Sequence, residues 1–132
     1  MLGIDTNILI RFFVQDDENQ LNSVVELFLA QEEKKDKIFI SNVVLVEFVW
    51  VLKKTYRIPK SDILSSLNKI ISNSIFCFED KIIFSNAIDK YSNNGGDFAD
   101  YLIGNIGYRF NTTTTFTFDK KLNRDEHFTL LK

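Results

Sequence analysis

The chain has 132 residues, the size of one compact domain, and 45% apolar content with 13 phenylalanines supplies a real core, which excludes a disordered chain. Its 18 acids against 16 bases leave a formal charge of -2, so diffuse attraction to phosphate cannot be how it would hold a nucleic acid. One cysteine, Cys77, and one histidine, His127, exclude an intrachain disulfide, a Cys-based or His-rich metal site, and any triad needing a second histidine.

Residues 1–4 are an apolar run ending at Asp5 and predict a buried first strand. Residues 7–14 predict a short helix. Residues 20–31 predict a longer one, with Leu21, Val24, Val25, Leu27, Phe28 and Leu29 at helical spacing. The polar run 32–37 reads as a loop or a frayed helix end, and 38–40 as a second strand. Ser41 suits the N-cap of a helix reaching about Tyr56, because the segment is too long for an ordinary strand. Its apolar surface goes nearly all the way round, which predicts deep packing. Pro59 and Lys60 open a further helix ending near Ser72, and 75–78 is a short extended piece. Asp80 starts a helix with Ile83, Phe84, Ala87, Ile88 and Tyr91 on one face. Asn93, Asn94, Gly95 and Gly96 break it. Asp97 starts the next helix, which carries Phe98, Tyr101, Leu102, Ile103 and Ile106. Residues 112–118 are rich in β-formers, and 128–131 read as a last strand.

Strands separated by helices predict an α/β fold: one domain over 1–132, with a mainly parallel central sheet flanked by helices. Sites in such sheets lie outside the carboxyl ends of the strands. The longest apolar run, 43–52, is broken by Glu47 and is too short to span a bilayer. The start, MLGIDTN, lacks the regions of a signal peptide. The expectation is a cytoplasmic protein with no membrane association.

Several acids stand apart from the ordinary solvated surface. Asp5 and Asp119 each follow a predicted strand. Glu47 is the only charge in an apolar run, where a buried carboxylate would need a partner or a cation. Asp97 and Asp100 share a face at a helix start. Singly, Asp5, Asp97 and Asp119 read as helix N-caps, and Asp100 as the partner of Asp97 in a capping-box-like pair. A lysine partner or a peripheral place on its helix serves Glu47 as well as a metal does. Gathered at one sheet edge, such carboxylates would repel each other, and a divalent cation resolves that conflict. Oxygen-only donors select a hard ion, Mg2+ with Mn2+ as the substitute.

Four blocks of the sequence resemble the PIN-domain family, in particular its VapC-type toxins. They are Gly3-Ile4-Asp5-Thr6-Asn7-Ile8-Leu9, residues 40–52 around Glu47, Gly96-Asp97-Phe98-Ala99-Asp100-Tyr101-Leu102-Ile103-Gly104, and Thr115-Phe116-Thr117-Phe118-Asp119-Lys120-Lys121-Leu122. The resemblance runs nearly end to end. The family more often has alanine at positions 101 and 104. The resemblance implies a PIN-like domain that acts as a magnesium-dependent endoribonuclease, a hydrolase of RNA phosphodiester bonds leaving 5′-phosphate and 3′-hydroxyl ends. It puts Asp5, Glu47, Asp100 and Asp119 in the catalytic, metal-holding positions. Asp97 is an accessory carboxylate, and Asn7 and Thr117 are supporting polar residues. The latter two read equally well as a turn or cap and as strand filling. The resemblance also implies a toxin of a toxin–antitoxin pair, with a small antitoxin partner and a homodimer.

Basic residues must hold RNA away from the acids. Lys53, Lys54, Arg57 and Lys60 cluster beyond the Glu47 helix and read mostly as solvated surface. Lys120 and Lys121 adjoin Asp119, and Arg11 lies one helical turn past Asn7; these three are the candidate RNA contacts. Phe12, Phe13, Leu27 and Phe28 offer apolar surface for an interface, with core burial as the default. A non-catalytic PIN-like module that binds RNA or protein, its acids serving only as caps, is the alternative reading. A phosphoacceptor receiver or an aspartyl-phosphate phosphatase fits poorly, since Thr6 and Asn7 follow Asp5 where those classes want a second acid.

Overall fold

In a computed structural model that describes residues 1–132, β1 (Leu2–Gly3) pairs in parallel with β2 (Ile38–Ile40), and β2 with β3 (Phe76–Phe78). Parallel neighbours need long crossovers. Here α1 (Thr6–Phe13) and α2 (Glu18–Glu33) make the first, and α3 (Asn42–Lys54) and α4 (Lys60–Ser72) the second. These elements belong to a unit spanning Met1–Lys81; a second unit spans Ile82–Lys132.

Local chemistry sets the helix starts of the first unit. The Asp17 side chain accepts the Gln20 N–H at 3.0 Å, and the Ser41 hydroxyl accepts the Val44 N–H at 3.2 Å. Leu9, Ile10, Val24, Phe28, Leu45, Phe48, Leu67 and Phe76 are buried. Aromatic rings run through this core: Phe12 on Phe28, Phe13 on Phe48 and Phe28 on Phe76, with centroids 4.9 to 5.6 Å apart. The apolar excess at Phe12, Phe13 and Phe28 therefore goes into the unit's own packing.

Two expectations for this unit need correction. Residues 1–4 are not a buried strand: β1 is short and lies at the sheet edge, and only Ile4 is buried. The α3 surface is not covered all round, since Val43 and Trp50 are 66% and 59% exposed.

The second unit holds α5 (Lys81–Asn93, whose first residue closes the first unit), α6 (Phe98–Arg109), β4 (Thr115–Thr117), a 3₁₀ turn (Lys120–Leu122) and β5 (Phe128–Leu130). β4 and β5 pair in parallel. Phe84 and Tyr91 of α5 pack their rings on Phe98 of α6. β4 is shorter than the β-rich run 112–118 because α6 unwinds through it. Asn111 takes a left-handed φ of 67°, and Thr112 N–H folds back to the Gly107 carbonyl at 3.1 Å. Parallel pairing throughout, with six helices, is the α/β fold expected from the sequence. No helix is long and apolar enough to cross a membrane.

Candidate active site

In the first unit the candidate residues lie at the carboxyl end of the sheet. Asp5 leaves β1, is exposed, and caps α1 by accepting the Ile8 N–H on Oδ1 at 3.2 Å. The next residue ties the first block to the second: Thr6 Oγ1 donates to Glu47 Oε1 at 3.0 Å. Glu47 is exposed, so the burial argument made from its apolar surroundings does not hold. A solvated carboxylate held by a hydroxyl replaces it. The same edge carries Glu79, which follows β3 and accepts the Asn42 N–H at the start of α3 at 2.5 Å. Asn42 Oδ1 is buried without a hydrogen-bond partner.

Beside Asp5, a cleft of about 520 Å³ opens between α1 and α2, with Asn7 and Arg11 in its wall. Arg11 is not a free cation. Its Nε donates to Gln20 at 2.6 Å, and its Nη1 to Asp16 at 2.6 Å and to the Tyr56 hydroxyl at 3.2 Å. That network holds its guanidinium above the ordinary arginine range, the Tyr56 bond being the largest cause.

In the second unit, Asp97 sits at the N-cap of α6, and Asp100 Oδ2 accepts the Asp97 backbone N–H at 3.0 Å in a capping box. Asp119 follows β4 and caps the 3₁₀ turn, Oδ1 accepting the Lys121 N–H at 2.9 Å. Thr117 shapes that turn, since its hydroxyl accepts the Asp119 N–H at 3.0 Å. It does more than fill the strand. Burial pushes the Asp100 carboxyl above the usual range, and the nearby negative charges of Asp97 and Asp119 add to this. The Asp97 N–H bond and the Lys121 charge work against them. Asp97, Asp119 and Lys121 thus all act on Asp100.

Within neither unit do three acidic, histidine or cysteine side chains form a cage able to hold an ion unaided. The donors present in both are oxygens, which suit a hard divalent ion. A cation beside Asp100 would offset the cost of its burial and the repulsion from Asp97 and Asp119. The lone histidine is engaged elsewhere: His127 stacks on Tyr108 with centroids 4.5 Å apart and lies 3.5 Å from Glu126.

A side chain has no room at Gly96, beside Tyr101, or at Gly104. A Cβ at Gly96 would come within 2.7 Å of the Tyr101 hydroxyl, and one at Gly104 within 2.6 Å of the Phe128 ring. The sequence reading passed over Thr6, Glu79 and the Tyr101 hydroxyl. Glu79 carried a signal, an acid directly after an apolar strand, as at Asp5.

This fold and these carboxylates at strand ends define a class, and the sequence pattern of the PIN domain matches residues 3–126. The chain belongs to the PIN-domain family. It is similar to a protein of Aquifex aeolicus (strain VF5) named VapC ribonuclease, with 28% identity over 99 residues that span 75% of this chain and 73% of that protein.

Proposed function

We propose that this chain is a magnesium-dependent endoribonuclease, the toxin of a toxin–antitoxin pair, working as a single PIN domain over 1–132. Family membership across 3–126 and the likeness to a VapC ribonuclease support the reading. The observation that carries it is the placing of acids just after strands, Asp5 after β1 and Asp119 after β4, each pinned by one backbone N–H.

Asp5, Glu47, Asp100 and Asp119 would hold Mg2+, or Mn2+ in its place, with Asp97 as an accessory carboxylate. The ion, when bound, supplies Lewis acidity at the phosphate and a lowered pKa for attacking water. The chain's own residues do the rest. Thr6 orients Glu47 through its hydroxyl. Thr117 fixes the turn that presents Asp119, and Asn7 lies beside Asp5 in the cleft wall. Lys120 and Lys121 follow Asp119 directly and offer positive charge to RNA phosphates. Arg11 serves the Asp16–Gln20–Tyr56 network and so supports α1. No protein nucleophile is required. Hydrolysis leaves a 5′-phosphate and a 3′-hydroxyl. A cytoplasmic location, a homodimer and a small antitoxin complete the proposal, by likeness to the family.

The test is cleavage of a mixed RNA pool with Mg2+, beside EDTA, Asp5→Asn and Asp100→Asn. Loss of cleavage in all three supports the proposal. Cleavage that persists in both variants removes the proposed site, and a folded wild type that cleaves no RNA with Mg2+ favours the binding module whose acids are only caps.

A further inference from the structure

A polar cavity of about 300 Å³ lies in the second unit and shares Lys121 with the acidic site described above. Its wall includes Lys90, Tyr101, Lys121, Arg124, Asp125 and Glu126. The charges divide into two sets. Lys90 Nζ lies 3.0 Å from Asp125 and 3.7 Å from Glu126, and also donates to Asn105 Oδ1 at 3.3 Å. One lysine thus faces both acids of the wall, and one negative charge is left to set against Lys121 and Arg124. Lys121 and Arg124 make no ion pair, so positive charge is left over.

Tyr101 adds a donor. It is 1% exposed, and its hydroxyl oxygen accepts the Gly96 N–H at 2.9 Å. No protein acceptor takes the hydroxyl proton. The hydroxyl accepts from Gly96 and keeps its proton available to an acceptor in the cavity. The Lys121 stem runs past Gly95, 3.9 Å from where a Cβ would stand, and its charge acts on the Asp100 carboxyl. One lysine therefore serves both the acidic site and this cavity.

We propose that Tyr101, Lys121 and Arg124 form a subsite for a backbone phosphodiester of single-stranded RNA, beside the phosphate that is cut. Two unpaired cations and a buried hydroxyl donor match the oxyanion of a phosphodiester. The polar wall reads backbone, not base. The inference rests on the ribonuclease reading.

The test keeps binding and cleavage apart. A labelled single-stranded RNA of about twelve nucleotides is titrated with the full chain in EDTA, at several KCl concentrations, by fluorescence anisotropy. Arg124→Ala and Tyr101→Phe are each expected to weaken binding about fivefold to tenfold. Arg124→Ala should also lower the log–log salt slope by about 0.7, one phosphate contact on a single strand. Lys69→Ala, an exposed lysine of the first unit, is the control. Melting temperatures check that Tyr101→Phe, which also removes the acceptor of the Gly96 N–H, still folds; Arg124 is exposed and gives the same answer without that risk.

Wild-type affinity and salt slope in both folded variants would overturn the subsite. If Asp100→Asn meanwhile abolishes cleavage of the same RNA, the ribonuclease reading stands alone. RNA that the wild type neither binds nor cleaves removes both. A parallel titration with sodium phosphate separates the two sources of the ligand. Free phosphate bound as tightly as the RNA, and lost in Arg124→Ala, would overturn the RNA assignment.

Discussion

Gly104→Ala sets two effects of known size against each other. Gly104 lies inside α6 without a left-handed φ, so its backbone conformation does not require glycine. Alanine gains about 1 kcal/mol of helix propensity. Its Cβ, however, would stand 2.6 Å from Phe128 Cε2, 3.1 Å from Phe128 Cζ and 3.3 Å from His127 Cβ. The Phe128 ring is 9% exposed on β5, and the adjacent His127 is stacked on Tyr108, so the ring has little freedom to move away. Overpacking of this kind costs about 1–3 kcal/mol. The net expectation is a loss of about 1 kcal/mol, or roughly 3 °C in Tm. Urea unfolding followed by circular dichroism measures it. A double-mutant cycle with Phe128→Leu isolates the cause. Leucine withdraws the ring edge, so in that background alanine keeps only its propensity gain of about 1 kcal/mol, a coupling of about 2 kcal/mol. A Gly104→Ala chain more stable than wild type, or an equal effect in both backgrounds, would refute the steric argument.

Asp100 has a folded pKa above its unfolded one, so its contribution is most favourable below the unfolded value and is lost as pH rises through the folded one. Asp100→Asn should therefore raise Tm at pH 7.5 in EDTA, with the gain vanishing toward pH 3; calorimetry across that range is the check. Thr6→Val removes the hydroxyl bonded to Glu47 and should lower Mg2+-dependent cleavage several-fold at a stability cost of about 1 kcal/mol, measured by single-turnover cleavage beside urea unfolding. Asp125→Ala leaves Lys90 short of a partner where their side chains are 8% and 15% exposed. With Glu126 and Asn105 still in reach, a loss of about 2 kcal/mol in urea unfolding is expected. Asp5→Ser keeps an oxygen able to accept the Ile8 N–H, so it should hold stability within about 0.5 kcal/mol while abolishing cleavage. Asp5→Ala should lose both, by the same two assays.

Much of the fold was legible because its signals are local. Ser41 and Asp97 are N-cap residue types and do stand at the caps of α3 and α6, and the Asn93–Gly96 run ends α5. What failed depends on surroundings. The apolar content of α3 did not reveal that Val43 and Trp50 face outward, since composition does not say how much of a helix is covered. The Thr112–Thr115 run carries high β propensity, yet its first part is held by the end of α6 through the Gly107 carbonyl and the left-handed Asn111. Glu47 was legible as an unusual residue but not as an exposed one, because its hydroxyl partner, Thr6, is 41 residues away.

For the acids, the sequence posed capping and catalysis as rival readings, and the geometry removes the rivalry. Asp5 uses Oδ1 for the Ile8 N–H, Asp100 uses Oδ2 for the Asp97 N–H, and Asp119 uses Oδ1 for the Lys121 N–H. Each keeps its other oxygen clear of protein donors. A cap of this kind fixes the carboxylate against a rigid backbone group and leaves its second oxygen for another partner. Side chains that bind an ion must give up rotamer freedom, and a cap has already taken it away. A helix that begins directly after a strand thus supplies an acid, a donor that pins it and an exposed edge within a few residues. Each acid then has an ordinary structural reason to be where it is. For that reason no single aspartate in this sequence could point to the proposed site, and the proposal draws on the ordered set of blocks.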